Sequence, residues 1–139
     1  MMSFVTILSF LFATVLMVVS APVETPAELD KRTTHTGRAS GTWFEPGLGN
    51  CGNFNTVNDP IIAIPETLYD ENRGSNCGQW IHIEDVSTGK VVYGRTEDSC
   101  PGCGGGDLDM SPAVFQKFAS LDVGILSISW YFMPQGWSP

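Results

Sequence analysis

Cysteine is the residue type here with the most reactive chemistry, and there are four: Cys51, Cys77, Cys100 and Cys103. An even set in a small exported domain reads as disulfides, and four cysteines allow three pairings that spacing does not separate. Zinc is the rival. Only Cys100-Pro-Gly-Cys103 has ligand spacing, Cys51 and Cys77 stand apart, and neither His35 nor His82 has a fitting partner, so no metal site is expected. A redox-active Cys-x-x-Cys motif would open a helix, whereas Gly104-Gly105-Gly106 follows this one. The cysteines therefore read as staples.

The elements that must hold them are mostly strands. Ser40 to Glu45 reads as a first strand and Pro46 to Asn50 as a turn-rich loop. Pro60 to Ile64 is a short apolar run fit for burial on both faces. Glu66 to Asp70 fits one helical turn, and Asn72 to Asn76 a polar loop. Gln79 to Asp85 alternates, turns at Ser87 to Lys90, and returns along Val91 to Thr96. Ile125 to Phe132 alternates again, with Leu126, Ile128, Trp130 and Phe132 as a core wall. One helix precedes that last strand: Ser111 caps it, Pro112 starts it, and Val114, Phe115, Phe118 and Ala119 share a face. Short strands and tight glycine loops suggest a closed barrel.

The N-terminus reads as an export signal. Phe4 to Val19 is apolar except for Thr6, Ser9 and Thr14, and as a helix would span about 24 Å. That is short for a membrane anchor and suits the core of a signal peptide, with cleavage expected after Ala21. Residues 22–32 form an acidic, proline-containing stretch ending in Lys31-Arg32, which reads as a propeptide with a dibasic processing site. The domain then runs over residues 33–139, enough for one core. It holds twelve acidic and five basic residues, a net charge of −7. Scattered cations argue against nucleic acid or an anionic membrane as a partner of the mature chain. A secreted monomer, extracellular or in the cell wall and without cofactor, is expected.

Several runs together resemble a known family. Gly41-Thr42-Trp43-Phe44-Glu45-Pro46-Gly47-Leu48-Gly49-Asn50-Cys51-Gly52 opens the domain, and Ser75-Asn76-Cys77-Gly78 sits in its middle. Glu97-Asp98-Ser99-Cys100-Pro101-Gly102-Cys103 and Gly106-Asp107-Leu108-Asp109-Met110-Ser111-Pro112 follow, and Leu126-Ser127-Ile128-Ser129-Trp130 closes it. In order and type these runs resemble the rare-lipoprotein-A-like and expansin superfamily, which is barwin-like, in its single-domain fungal secreted form. The resemblance implies a mainly β fold: a six-stranded double-psi β-barrel with one short helix before the last strand. It also implies pairing of Cys51 with Cys77 and of Cys100 with Cys103.

What the resemblance implies for function turns on single residues. The superfamily includes glycoside hydrolases, non-hydrolytic expansins, lytic transglycosylases, plant defence proteins and inhibitors of cysteine proteases. Asp109 matches the catalytic acid of the cellulase members, with Asp107 where they carry His, and Asp98 resembles a second family Asp. Pro46 stands at the base position and Glu45 is displaced by one, which turns its side chain to the other strand face. An inverting pair is then incomplete, as in expansins, and the chain is expected to bind cell-wall polysaccharide (β-glucan, chitin or cellulose) without cutting it. Candidate sugar contacts are Trp43, Tyr69, Trp80 and Trp137, which offer flat apolar rings, and Asp107. The cellulose-binding second domain of plant expansins is not in this sequence, so hold on crystalline glycan should be weak. Two alternatives stand beside this. One is a protein-binding effector or cysteine-protease inhibitor, contacting a secreted protease through the 46–50 or 70–76 segments. The other is a glycan-cleaving enzyme using Asp109 as acid.

Overall fold

A computed structural model describes residues 35–139, with side chains from residue 39 onward. The expectations of a signal peptide and a dibasic cleavage site fall on residues before these. Six strands close into a barrel in the order β1-β5-β2-β4-β3-β6. They are β1 (His35–Trp43), β2 (Ile61–Pro65), β3 (Trp80–Asp85), β4 (Val91–Cys100), β5 (Leu108–Met110) and β6 (Leu126–Phe132). Two helices, α1 (Glu66–Glu71) and α2 (Pro112–Phe115), and a 3-10 turn at Leu121–Val123 fill the connections. The fold is the expected mainly β, six-stranded double-psi barrel.

Its topology depends on two parallel pairings among antiparallel ones. β1 runs parallel to β5, and β2 parallel to β4. Parallel neighbours cannot be joined by a tight turn, so the chain must cross over between them. Between β1 and β5 the chain runs through β2, β3 and β4, and between β2 and β4 it runs through α1 and β3. The β3–β4 hairpin is the local exception, closed by Asp85, whose carboxylate accepts from Ser87 N–H, Ser87 Oγ and Thr88 Oγ1. These hydrogen bonds hold its carboxyl below the ordinary range.

The core follows the alternation. Ile81 and Ile83 on β3, and Ile128, Trp130 and Phe132 on β6, point inward with Ile62, Ile64, Leu108 and Met110. Each such side chain contributes about 1.5–3 kcal/mol on burial. The indole N–H of Trp130 donates to the Gly106 carbonyl at 2.7 Å, so this large ring is buried without stranding its polar atom. Helix α2 plugs the barrel with Val114 and Phe115. Ser111 precedes it as expected but makes no side-chain cap bond. Its hydroxyl donates to the Asp59 carbonyl at 2.6 Å and so ties α2 to the entry of β2.

Both disulfides join the pairs that the family likeness implies: Cys51 to Cys77, and Cys100 to Cys103. The first fastens the β1–β2 loop to the loop after α1. The second closes the turn after β4.

Candidate functional site

Asp109 sits mid-strand in β5, between two core residues, so alternation turns it outward. The barrel register then decides its neighbours. Thr42 pairs with Asp109, Asp109 pairs with Ala63, and Ala63 pairs with Asp98. The four therefore form one row across β1, β5, β2 and β4, with the two carboxylates on either side of the small Ala63. Two strand spacings separate their backbones, about 9–10 Å.

The two acids differ in environment. Asp109 is half-buried, and burial lifts its carboxyl above the usual range against the pull of the Thr42 hydroxyl, which donates to Oδ1 at 2.8 Å. A carboxyl that keeps its proton longer suits a general acid. Asp98 accepts from Asn50 N–H at 2.9 Å and Ser99 N–H at 2.8 Å through the same oxygen. It holds the β1–β2 loop against β4. Asp107 is likewise engaged: Oδ1 accepts from Ser40 N–H at 2.7 Å and Oδ2 from Gly104 N–H at 3.0 Å. Glu45 lies exposed beyond the end of β1, and Pro46 follows it without a titratable group. Among the described residues, no cluster of His, Cys, Asp and Glu could hold a metal ion.

The aromatic candidates divide between frame and surface. Trp43 packs against the core and its indole N–H donates to the Leu121 carbonyl at 3.1 Å. Tyr69 donates from its hydroxyl to the Asn50 carbonyl at 2.9 Å, joining α1 to the β1–β2 loop. Trp80 lines a cleft on the outer face of β3 and β4 with Tyr93. Trp137 lies 4.8 Å from Tyr93, ring centre to ring centre. The row continues through His82, 5.4 Å from Tyr93, to Tyr131, 4.5 Å from His82. From sequence, Tyr93 and Tyr131 were not singled out, and His82 was weighed only as a metal ligand. The signal was present, since Tyr93 and Tyr131 both occupy outward positions in alternating strands.

The β1–β2 loop contains the 46–50 segment expected as a protease contact, and within it the sequence marked out neither Leu48 nor Phe54. Leu48 and Phe54 form an isolated antiparallel bridge, which sets their side chains side by side. They are 73% and 77% exposed, respectively. Everything beneath them is fixed. Gly49 N–H donates to Asn53 and Asn55 N–H to Gly47. Asn53 Nδ2 donates to Glu97 Oε2 at 2.8 Å, and Asn50 Nδ2 to Ser99 Oγ at 2.6 Å. Glu97 is only 1% exposed and pairs with Arg95 at 2.7 Å, and the Cys51–Cys77 bond anchors the loop from below. Two large apolar side chains thus project from a braced platform.

No family profile matches the chain. A papain inhibitor of Streptomyces mobaraensis is 29% identical over 96 residues, 66% of this chain and 66% of that protein. A homologue of the allergen Asp f 7 from Arthroderma benhamiae is 32% identical over 91 residues, covering 63% of this chain and 31% of its own length. The chain thus spans about a third of one curated relative and just under two thirds of the other. Among solved structures, the Streptomyces papain inhibitor superposes with a TM-score of 0.61 at 27% identity, over 70% of this chain and 93% of the inhibitor. A mutant expansin of Clavibacter michiganensis in complex with cellohexaose gives a TM-score of 0.61 at 21% identity, over 73% of this chain and 52% of the expansin. This chain shares its barrel with an inhibitor of papain and with an expansin.

Proposed function

We propose that this chain is an exported single-barrel inhibitor of papain-type cysteine proteases, acting through the β1–β2 loop. The observation that carries the reading is the projecting pair Leu48 and Phe54 on a loop immobilised by a disulfide and by Asn50, Asn53, Glu97 and Asp98. A protease cleft takes an extended, partly apolar segment. A loop already fixed in its bound shape loses little conformational entropy on docking. Each apolar side chain adds about 1.5–3 kcal/mol if fully covered. The likeness to a papain inhibitor, of which the barrel covers 93%, supports the same reading. Two disulfides suit an oxidising compartment outside the cell.

The test is residual papain activity titrated with wild type and with the Leu48→Ala/Phe54→Ala double variant. Wild type inhibits, and the variant loses at least about tenfold in inhibition constant with an unchanged melting profile. A folded wild type that leaves papain fully active overturns the reading.

Non-hydrolytic binding of cell-wall polysaccharide is the second reading. It draws support from Trp80 and from Trp137 beside Tyr93, which place aromatic rings on one outer face. Asp109 is there, but Pro46 at the base position cannot serve, and Asp98 spends one carboxylate oxygen on holding the loop. Asp109→Asn is then expected to keep any retention on chitin, β-glucan or cellulose, with no reducing sugar released by either protein. Sugar released by wild type and lost in the variant would instead identify Asp109 as a catalytic acid.

A further inference from the structure

The open cleft on the outer face of β3 and β4 has a volume of about 560 Å³. That lies within the roughly 300–1,000 Å³ typical of small-molecule sites. Trp80 and Tyr93 form its aromatic wall, because Ile81 and Val92 take the inward positions on either strand. Lys90 enters from the hairpin, and Gln116 and Lys117 from the end of α2.

The charge of this cleft is opposite to that of the molecule. The full chain carries −8, yet two of its seven basic residues line one concavity with no Asp or Glu side chain among them, and the last residue, Pro139, lines it too. Arg95 is neutralised by Glu97, whereas Lys90 and Lys117 have no ion pair among the described residues. Glu84 stands opposite Val91 on the same face of the hairpin but does not line the cleft. Two lysines and two aromatic rings lining one cleft, with the Gln116 amide to serve hydroxyls, match a ring that is apolar on its flat side and anionic at its edge.

We propose that this cleft binds an acidic sugar, a uronate or a short uronate oligomer. Its ring would stack on Trp80 and Tyr93 and its carboxylate would meet Lys90 and Lys117. The Trp137 ring beside Tyr93 extends the stacking surface for a second sugar. The inference refines the polysaccharide reading by naming the charge of the sugar, and it is independent of the protease reading.

The probe is trigalacturonate, titrated calorimetrically against the purified chain, with cellotriose as a neutral trimer and hexa-aspartate as an acidic peptide. Trigalacturonate is expected to bind more tightly than either, with affinity falling as salt is raised. Lys90→Met and Lys117→Met each weaken it roughly threefold and together about tenfold, leaving papain inhibition unchanged. Trp80→Leu weakens every saccharide that binds. Absence of trigalacturonate binding, or its equality with hexa-aspartate, overturns the proposal. Equal binding of cellotriose and trigalacturonate also overturns it, while leaving the broader glycan reading intact.

Discussion

Asp109 shows how one position is set by its neighbours. The residue lies in a strand whose flanking side chains are core, so its carboxyl is partly withdrawn from water and holds a proton more firmly than usual. The consequence for stability has a definite sign. Between the ordinary value of 3.8 and the raised folded value, the folded chain binds a proton that the unfolded chain has lost. Stability must therefore fall as pH rises through that window. Asp109→Asn keeps an acceptor for the Thr42 hydroxyl and removes the titration, so the variant should lose this part of the slope. It should also gain a little stability near neutral pH, modestly because the group stays half in water. Thermal melts from about pH 4 to about pH 7 check this, and parallel profiles for the two proteins would refute it.

The β1–β2 loop is the element on which the protease reading rests, and Gly49 is its tightest point. A Cβ there would fall on the Glu97 carbonyl oxygen, which is backbone and cannot rotate away. The same carbonyl accepts the Cys51 N–H at 3.2 Å, so displacing it disturbs the disulfide anchor too. Gly49→Ala should cost about 1–3 kcal/mol and weaken papain inhibition more than its effect on melting alone explains, because Leu48 moves with the loop. Gly47→Ala, whose Cβ meets nothing within 4 Å, is the matched control. Equal inhibition by the two variants would show that the loop does not need this brace.

At the scale of the molecule, two crosslinks of very different span hold the crossovers. Cys51 and Cys77 are 26 residues apart, whereas Cys100 and Cys103 are three apart. Chain-entropy arguments give about 3.5 kcal/mol for the long closure and about 1.6 kcal/mol for the short one. Cys51→Ala/Cys77→Ala should therefore lower the denaturant midpoint about twice as far as Cys100→Ala/Cys103→Ala. Only the first should also impair inhibition, since only it anchors the Leu48–Phe54 loop. Equal losses from both pairs would place the stabilisation elsewhere.

Much of the barrel was legible because alternation is a local signal. Ile81 and Ile83, and then Ile128, Trp130 and Phe132, announce their inward face without knowledge of any partner strand. The three-residue strand Leu108–Met110 is too short to show a period and becomes a strand only by pairing with β1 and β2. Ser111 reads locally as a helix cap, yet its hydroxyl serves a carbonyl 52 residues away. By itself the sequence determined the strand faces, the disulfide character of the cysteines and the candidate acids. Local spacing and residue chemistry suffice for those. Tertiary structure alone decided that Asp98 and Asp107 are occupied by backbone N–H groups and that Leu48 and Phe54 stand out from a braced loop. It also decided that Lys90 and Lys117 meet at one cleft. Each of these depends on register and crossover between distant segments, and no pattern of neighbouring residues encodes which distant groups will meet.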